Sequence, residues 1–235
     1  MQNILTIFKK ELAGYFNSAI AYIVIVVFLG ITGWFFTSTL FLTGVVSMRS
    51  VFEIIPFIFL FFVPAITMRT ISEEKKTGTI ELLLTRPITD MEIVLGKFLS
   101  ALALTAMALL PTFIYVISLT FIGKVDFGAI IGSYIGLVFM CGIYIGIGIF
   151  CSSLTENQIV AFILSFLIVF ALFMLNKVLV FLPVPLASIL EYISIDYHFS
   201  SIARGVLDSR DLIYYISGIS IMLLLTKTSL ESRKW

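Results

Sequence analysis

Residues 17 to 48 read NSAIAYIVIVVFLGITGWFFTSTLFLTGVVSM, an unbroken run of 32 residues without a charged side chain. A helix of about 20 apolar residues crosses the hydrocarbon core of a bilayer, so this run is long enough for a transmembrane span. Of the 235 residues, 60% are hydrophobic and 12% are charged, against about 25% charged residues in soluble domains. The sequence therefore predicts an all-α integral membrane protein with one transmembrane domain and no separate soluble domain.

Gaps between charged residues indicate six transmembrane spans. A charge at the centre of a bilayer is costly, so each span is expected inside an uncharged stretch, with Lys227 reaching the interface from the last one. The predicted spans cover residues 18–42, 51–69, 90–122, 128–152, 156–177 and 209–230. Capping residues precede three of these spans: Thr89 with Glu92, Thr155 with Gln158, and Asp208.

Basic residues are unequally distributed between the two sides of the predicted bundle. Lysine and arginine are enriched in the cytoplasmic loops of membrane proteins. If both termini lie on one side, that side holds ten basic residues and the other side holds five. We therefore expect a multi-pass protein of the cytoplasmic (inner) membrane with both termini in the cytoplasm.

Two segments outside the spans have their own patterns. Residues 1–16 predict a helix in the cytoplasmic membrane interface, because their apolar residues follow one helical stripe. Residues 178–207 include a stretch interrupted by Pro183 and Pro185 that is too short to cross a membrane. We expect a re-entrant or outer-surface element there. The stripe of the first segment consists of Ile4, Leu5, Phe8, Leu12, Tyr15 and Phe16.

Reactive and metal-binding residues are sparse. The single histidine, His198, has Glu191 and Asp196 nearby in sequence. These side chains would form a metal or proton-transfer site only if several ligands converged, and a solvated or hydrogen-bonded surface histidine is the simpler interpretation. The sequence contains no HExxH, GxSxG or phosphate-binding GxxxxGK[ST] motif. We expect a non-catalytic chain that binds no metal or nucleotide itself.

Charge and cysteine content argue against nucleic-acid binding and against a disulfide bond. A net charge of +1 does not provide the clustered basic charge that nucleic-acid binding requires. The two cysteines, Cys141 and Cys151, are ten residues apart on one predicted helix, which is too far for a disulfide. We expect both cysteines to be packing residues.

Glycine and proline mark special positions in the spans. Gly128, Gly132 and Gly136 are four residues apart in the fourth span, a spacing that lets helix backbones approach closely. Packing within the chain, a dimer interface and a moving helix contact are all compatible with this spacing. Three prolines predict kinks that are either static or act as hinges, Pro56 and Pro64 in span two and Pro111 in span three.

The segment Ile71–Lys97, ISEEKKTGTIELLLTRPITDMEIVLGK, is the largest polar interruption on the side assigned to the cytoplasm. It combines charges that favour directional contacts with apolar residues that a partner would bury. Gly78 permits a turn between its two parts. A helix lying on lipid headgroups would have a similar composition. The charges are Glu73, Glu74, Lys75 and Lys76, and the apolar residues are Ile80, Leu82, Leu83 and Leu84.

The run from Pro64 to Phe98 resembles the first cytoplasmic loop of ABC transporter permeases of the type-two exporter class. The N-terminal FKKELAGYFNSAIAYI, residues 8–23, is similar to the opening of the gliding-motility (Gld-type) and Nos-type permeases, with Ala19 where many members have proline. Twelve spaced positions of the loop agree without a gap: Arg69, Glu73, Glu74, Lys75, Gly78, Thr79, Glu81, Leu82, Leu83, Pro87, Gly96 and Lys97.

This resemblance implies a permease subunit that works as a dimer, with an identical or a sister permease, on two separate ATPase subunits that bind ATP and magnesium. It also implies that residues 71–87 form a coupling helix that docks on the ATPase, with Arg69, Pro87 and Lys97 as coupling or anchoring residues. The implied docking residues are Glu73, Glu74, Lys75, Lys76, Gly78, Thr79, Glu81, Leu82 and Leu83.

Two other functions fit the same sequence features. A membrane scaffold or anchor subunit of an envelope assembly would have the same spans and polar loop but would not depend on nucleotide hydrolysis. An intramembrane enzyme would require Glu191, Asp196 and His198 to be essential.

Overall fold

A computed structural model describes residues 2–80, 88–206 and 208–232 of the chain. These residues form α-helices joined by short turns, and the described ranges contain no β-strand. The helices are α1 (Gln2–Asn17), α2 (Ala19–Ser38), α3 (Arg49–Thr67), α4 (Ser72–Lys76), α5 (Asp90–Leu109), α6 (Phe113–Ile122), α7 (Phe127–Leu154), α8 (Gln158–Val178), α9 (Val184–Glu191), α10 (Ile195–Ile202) and α11 (Ser209–Glu231).

Six helical segments in the described residues are long and apolar enough to cross a membrane. Large apolar side chains on their surfaces are exposed, as a lipid environment permits; Trp34 is 70% exposed and Phe41 is 81% exposed. The segments are α2 with a π-helical turn (Thr39–Thr43), α3 with the turn after it and α4, α5 joined to α6, α7, α8, and α11.

The proline positions have different structural effects. Helix α3 continues through both Pro56 and Pro64. The predicted third span, in contrast, is interrupted at Pro111 by a 3-10 turn (Leu110–Thr112), so that α5 and α6 are separate helices. The hydroxyl of Thr112 donates to the carbonyl of Leu109 at 2.6 Å, which partly satisfies the backbone at this break.

The helix starts agree with two of the three capping predictions. Thr89 and Glu92 form the capping box of α5, and Asp208 caps α11. The third prediction was wrong, because Asn157 rather than Thr155 caps α8, with its side chain accepting from the N–H of Ile159 at 2.9 Å. Asparagine is as good an N-cap as serine or aspartate, and α8 therefore begins two residues later than predicted, at Gln158.

Helix α7 is the centre of the fold. It packs against α3, α5, α8, α10 and α11, and most of its side chains are buried. Cys141 and Cys151 are free and buried in this helix. An ideal Cβ on Gly146 would lie 2.9 Å from Met222 of α11, and one on Gly148 would overlap the side chain of Thr67 in α3. Small residues therefore allow neighbouring helices to approach α7 closely.

Gly132 and Gly136 face α10 of the same chain, and the backbone of Gly128 lies close to Gly205, just after α10. A Cβ on Gly132 would overlap the carbonyl oxygen of Ile202, and a Cβ on Gly136 would lie 2.9 Å from Cδ2 of Phe199. At Gly205, with φ +86°, a Cβ would lie 3.0 Å from the carbonyl carbon of Gly128. In this structure the glycine face is occupied by intramolecular packing.

The N-terminal helix α1 packs on the start of α5. Asn3 Nδ2 lies 3.2 Å from Glu92 Oε2, and a Cβ on Gly96 would lie 2.6 Å from Cγ2 of Ile7. Tyr15 of the predicted stripe is buried, whereas Leu5 is 52% exposed and the buried Ile7 was missed. The helix therefore buries a narrower and slightly rotated face against the protein.

The predicted element at 178–207 consists of a 3-10 turn (Leu179–Phe181) followed by α9 and α10. Helix α10 packs on α7 and α8, and Ile195, Phe199 and Ile202 are buried there. The Ser194 side chain caps α10 by accepting from the N–H of Tyr197. This element is therefore an integral part of the helix bundle.

Candidate functional site

Lys97, in the second turn of α5, is a buried cation with a side chain that is 1% exposed. Its Nζ lies 2.8 Å from Glu74 Oε1 and 3.1 Å from Glu11 Oε1, and it donates to the carbonyl of Thr70 at 2.7 Å. Burying a charge without partners is very costly, so these contacts strongly determine where the ammonium lies. The partners come from α1, from α4 and from the turn between α3 and α4, and we call this arrangement the Lys97 junction.

Helix α4 is also attached to the end of α7. The hydroxyl of Ser152 accepts from the N–H of Ile71 at 3.1 Å and from the N–H of Ser72 at 3.0 Å, and it donates to the carbonyl of Met68 at 2.9 Å. These donors belong to the first turn of α4, where backbone N–H groups have no helical partner. The start of α4 is therefore held by α7 as well as by α5, and we include these Ser152 contacts in the Lys97 junction.

The two sides of α4 have different environments. Glu74 points to the Lys97 junction with 15% of its side chain exposed, and the buried Lys75 donates to a backbone carbonyl at the end of α7. Lys76, Gly78 and Thr79 are exposed. Gly78 has φ +71°, a left-handed conformation that favours glycine. The predicted docking residues are thus divided between an inward side and an outward side.

Arg69 and Glu73 lie at the border of this arrangement. Arg69 Nε is 3.0 Å from Glu73 Oε2, and both side chains are partly exposed, at 33% and 43%. Exposed ion pairs contribute about 0–1 kcal/mol to stability. Nearby, burial raises the pKa of the Tyr15 phenol above its usual range, and the Glu11 carboxylate acts in the same direction. Tyr15 therefore stays neutral beside the junction.

Four of the predicted site residues, Glu81, Leu82, Leu83 and Pro87, lie outside the described residues. Three contributors to the junction were missed by sequence reasoning, namely Glu11, Thr70 and Ser152. Glu11 had a signal, because it is an acidic residue on a helix predicted to lie at the membrane. Thr70 contributes a backbone carbonyl, and Ser152 is one of many serines, so neither had a signal in the sequence.

The junction connects α4 to several other helices. It links α4 by direct contacts to α1, to the end of α3, to the start of α5 and to the end of α7. A displacement of α4 would therefore reach several helices at once. Within the described ranges, no group of three or more His, Cys, Asp or Glu side chains could hold a metal ion.

His198 lies at the opposite end of the bundle and is buried, at 4% exposure. The interpretation as a surface histidine was therefore wrong, although the ring is hydrogen-bonded. Its Nδ1 lies 2.7 Å from Asp211 Oδ1, its Nε2 lies 3.1 Å from the carbonyl of Tyr192, and its ring stacks on Tyr214. Asp196 instead contacts Asn176 and Lys177. The His198–Asp211 pair thus joins α10 to α11.

We expect Asp211→Ala to lower the free energy of unfolding by about 1–3 kcal/mol, because it leaves a buried ring nitrogen of His198 without its partner. Denaturant unfolding of the purified protein in detergent measures the change. Glu156→Ala, which removes an exposed carboxylate, is the matched control and should have little effect. Equal stabilities of the two variants would contradict a structural role for the pair.

The family model described as "ABC-2 family transporter protein" matches residues 31–228 of the chain. No curated protein matches the chain. The matched range begins within α2 and ends within α11. It therefore contains α4, Lys97 and all of the junction except the contribution of α1.

Proposed function

The chain belongs to the ABC-2 family of transporter proteins, and we propose that it is the permease subunit of an ATP-driven exporter in which α4 receives the movement of an ATPase. The family and the six apolar segments indicate a multi-pass membrane protein and a permease component of an ABC transporter. Permease domains of this family are typically non-catalytic and associate with ABC ATPase subunits. We further propose that it exports a substrate, that ATP hydrolysis drives this export, and that two permeases assemble with two ATPase subunits.

The observation that carries the proposal is the two-sided environment of α4. Lys76 at its end, with Gly78 and Thr79 just after it, is exposed, while its inward side is held by Lys97 and by the end of α7. A docking element needs both properties, since it must contact a partner and must transmit force to the membrane helices. Helix α4 has exposed polar groups on one side and buried attachments on the other.

In the proposed mechanism, two ATPase subunits bind ATP and magnesium and close on each other. The docked α4 moves with them and shifts the ends of α3, α5 and α7 through the Lys97 junction. A partner can shift such an equilibrium only through different contact energies in the two states. The contacts between α4 and the ATPase must therefore differ between the ATP-bound and the ATP-free assembly.

The proposed assembly contains a second permease, identical or related, in the cytoplasmic membrane, with both termini in the cytoplasm. This orientation places α4 on the side where ATP is available, and it rests on the excess of basic residues on that side. The resemblance to gliding-motility permeases makes surface motility the first process to test. A scaffold without transport would retain its function with an ATPase partner that cannot hydrolyse ATP, whereas the proposed exporter would lose it.

We expect Lys76→Glu to weaken binding of the partner ATPase by about tenfold, because it reverses an exposed charge within the proposed docking surface. Co-purification of the two subunits and stimulated ATP hydrolysis measure the loss. The stability of the isolated permease should not change, because Lys76 is exposed.

Lys10→Glu on α1 is the control for this charge reversal, since Lys10 is exposed and lies outside α4. Glu74→Gln is the second comparison, because Glu74 faces inward and its substitution should mainly reduce stability. If Lys76→Glu left ATPase binding and stimulation intact, α4 would not be the docking element.

A further inference from the structure

A cavity of about 780 Å³ lies at the end of the bundle opposite to the Lys97 junction. Helix α7 begins beside the cavity, just after Asp126, and ends at the junction with Ser152 and Ser153. At about 1.5 Å per residue, this helix separates the two sites by roughly 40 Å. Ligand sites in proteins commonly have volumes of about 300–1,000 Å³, so the cavity is large enough for a small molecule or a lipid headgroup.

The cavity has an apolar inner wall and a charged rim. The wall contains Phe52, Ile130, Phe173 and Phe199, which are all buried. Such a combination of apolar surface and a few polar groups is usual for ligand sites. It favours a ligand that has both a charged and an apolar part.

The three acidic residues at the cavity already have partners within the chain. Glu53 Oε1 lies 2.9 Å from Arg49 Nε, and the Asp196 carboxylate contacts Asn176 at 2.7 Å and Lys177 at 3.2 Å. The Asp126 side chain accepts from the first backbone N–H groups of α7. Their negative charges are therefore balanced by local cations or by a helix N-terminus.

Two cations at the rim, Lys124 and Arg204, have no carboxylate partner in the part of the chain that the structure describes. Arg204 Nε donates to the carbonyl of Ser200 at 3.2 Å, which uses one of its five N–H donors. Gly205, directly after Arg204, packs on Gly128 at the start of α7. This packing brings the loops that carry the two cations together, and charge-assisted hydrogen bonds from such groups favour an anion, phosphate in particular.

The surface next to the rim is strongly apolar. Val45, Phe127 and Val206 are 53%, 56% and 63% exposed. Val45 and Phe127 each adjoin a residue that lines the cavity, and Val206 is two residues after Arg204, which also lines it. Exposed apolar residues beside cations suit the boundary between lipid headgroups and acyl chains. A lipid offers both kinds of contact, whereas a free phosphate ion offers only the charge.

We propose that this cavity binds the phosphate-bearing headgroup of an anionic lipid, with Lys124 and Arg204 as the headgroup ligands. The acyl chains lie along the apolar surface at Val45, Phe127 and Val206. The site lies at the far end of the bundle from α4, so lipid binding there is a function separate from ATPase docking.

Native mass spectrometry of the full chain in a neutral detergent tests the proposal, with short-chain phosphatidylglycerol and phosphatidylcholine as probes. Wild type should bind phosphatidylglycerol about tenfold more tightly than phosphatidylcholine. The variant Lys124→Gln/Arg204→Gln should lose this preference. Ala129→Leu, which keeps every charge but places a larger side chain in the cavity lining, should weaken the binding of phosphatidylglycerol.

Lys9→Gln/Lys10→Gln is the matched control, because it removes the same charge from exposed positions on α1. An equal loss of lipid preference in this variant would overturn the proposal in favour of nonspecific attraction. Inorganic phosphate should not displace the bound lipid at millimolar concentration; full displacement would make the free ion the ligand and overturn the lipid assignment. If the double variant does not fold, Lys124→Gln alone tests the site, since Lys124 is exposed.

Discussion

Lys97→Met is expected to lower the free energy of unfolding by about 3–5 kcal/mol, because it leaves the carboxylates of Glu11 and Glu74 close together without their shared cation. Both carboxylates are largely buried, at 19% and 15% exposure, so water replaces the lost contact poorly. Denaturant unfolding in detergent measures the loss. In the proposed transporter we also expect the substitution to uncouple ATP hydrolysis from transport, because the first turns of α5 lose their attachment to α4.

Two comparisons separate the effect of losing the Lys97 junction from the general effect of removing a charge. Lys76→Met removes an exposed lysine from α4, the helix to which Lys97 is attached. It should change the free energy of unfolding by less than about 0.5 kcal/mol. The combination of Lys97→Met with Glu74→Gln should be less destabilising than the sum of the two single variants, because each then removes the other's unpaired group. Strict additivity would mean that Lys97 and Glu74 do not interact.

Gly132→Ala is expected to destabilise the protein by about 1–3 kcal/mol through overpacking between α7 and α10. A Cβ at Gly132 would overlap the carbonyl oxygen of Ile202 and lie 3.2 Å from the Cα of Gly205. Both obstacles are backbone atoms, so a change of side-chain rotamer cannot relieve the overlap. Helix α10 would have to move away from α7, and the cavity bordered by α10 would change with it. Thermal unfolding and anionic-lipid binding should therefore both be affected.

Gly30→Ala is the control for this prediction. Gly30 is also helical, but a Cβ there would meet no atom within 4 Å. Alanine has a higher helix propensity than glycine by about 1 kcal/mol, so the change should be neutral or stabilising. If Gly132→Ala were as well tolerated as Gly30→Ala, the close contact between α7 and α10 would be absent from the protein in a membrane.

Several features were predictable because they depend on local chemistry. The long uncharged runs predicted membrane helices, since a charge inside a bilayer is costly. The Thr89–Glu92 capping box and the Asp208 cap could be predicted from the sequence, because a cap involves residues only a few positions apart. The α8 cap was assigned wrongly because Thr155 and Asn157 are both competent caps, and spacing alone did not distinguish them.

The candidate site was predicted only in part. The sequence singled out the polar segment, and its resemblance to permeases singled out Lys97 as a coupling or anchoring residue. Both roles stay predictions. The sequence did not show which α4 residues are buried and which are exposed. Glu73, Glu74, Lys75 and Lys76 are consecutive charged residues, and only their neighbours in the fold decide which ones are buried. Glu11 and Ser152 come from distant parts of the chain, and His198 pairs with Asp211 rather than with the acidic residues that the sequence suggested.

The amino-acid sequence alone predicts a helical membrane protein with a polar segment on one side, because lipid excludes charge wherever the chain crosses it. It also determined the relation to ABC-2 transporters, which the family match supports. Only the folded chain shows which charges are shared between helices. Lys97 is shared with Glu11 and Glu74 at one end of α7, whereas Lys124 and Arg204 at the other end have no carboxylate partner among the described residues. This could not be read from the sequence because the energy of a charge depends on the groups around it, and folding brings those groups together from distant positions.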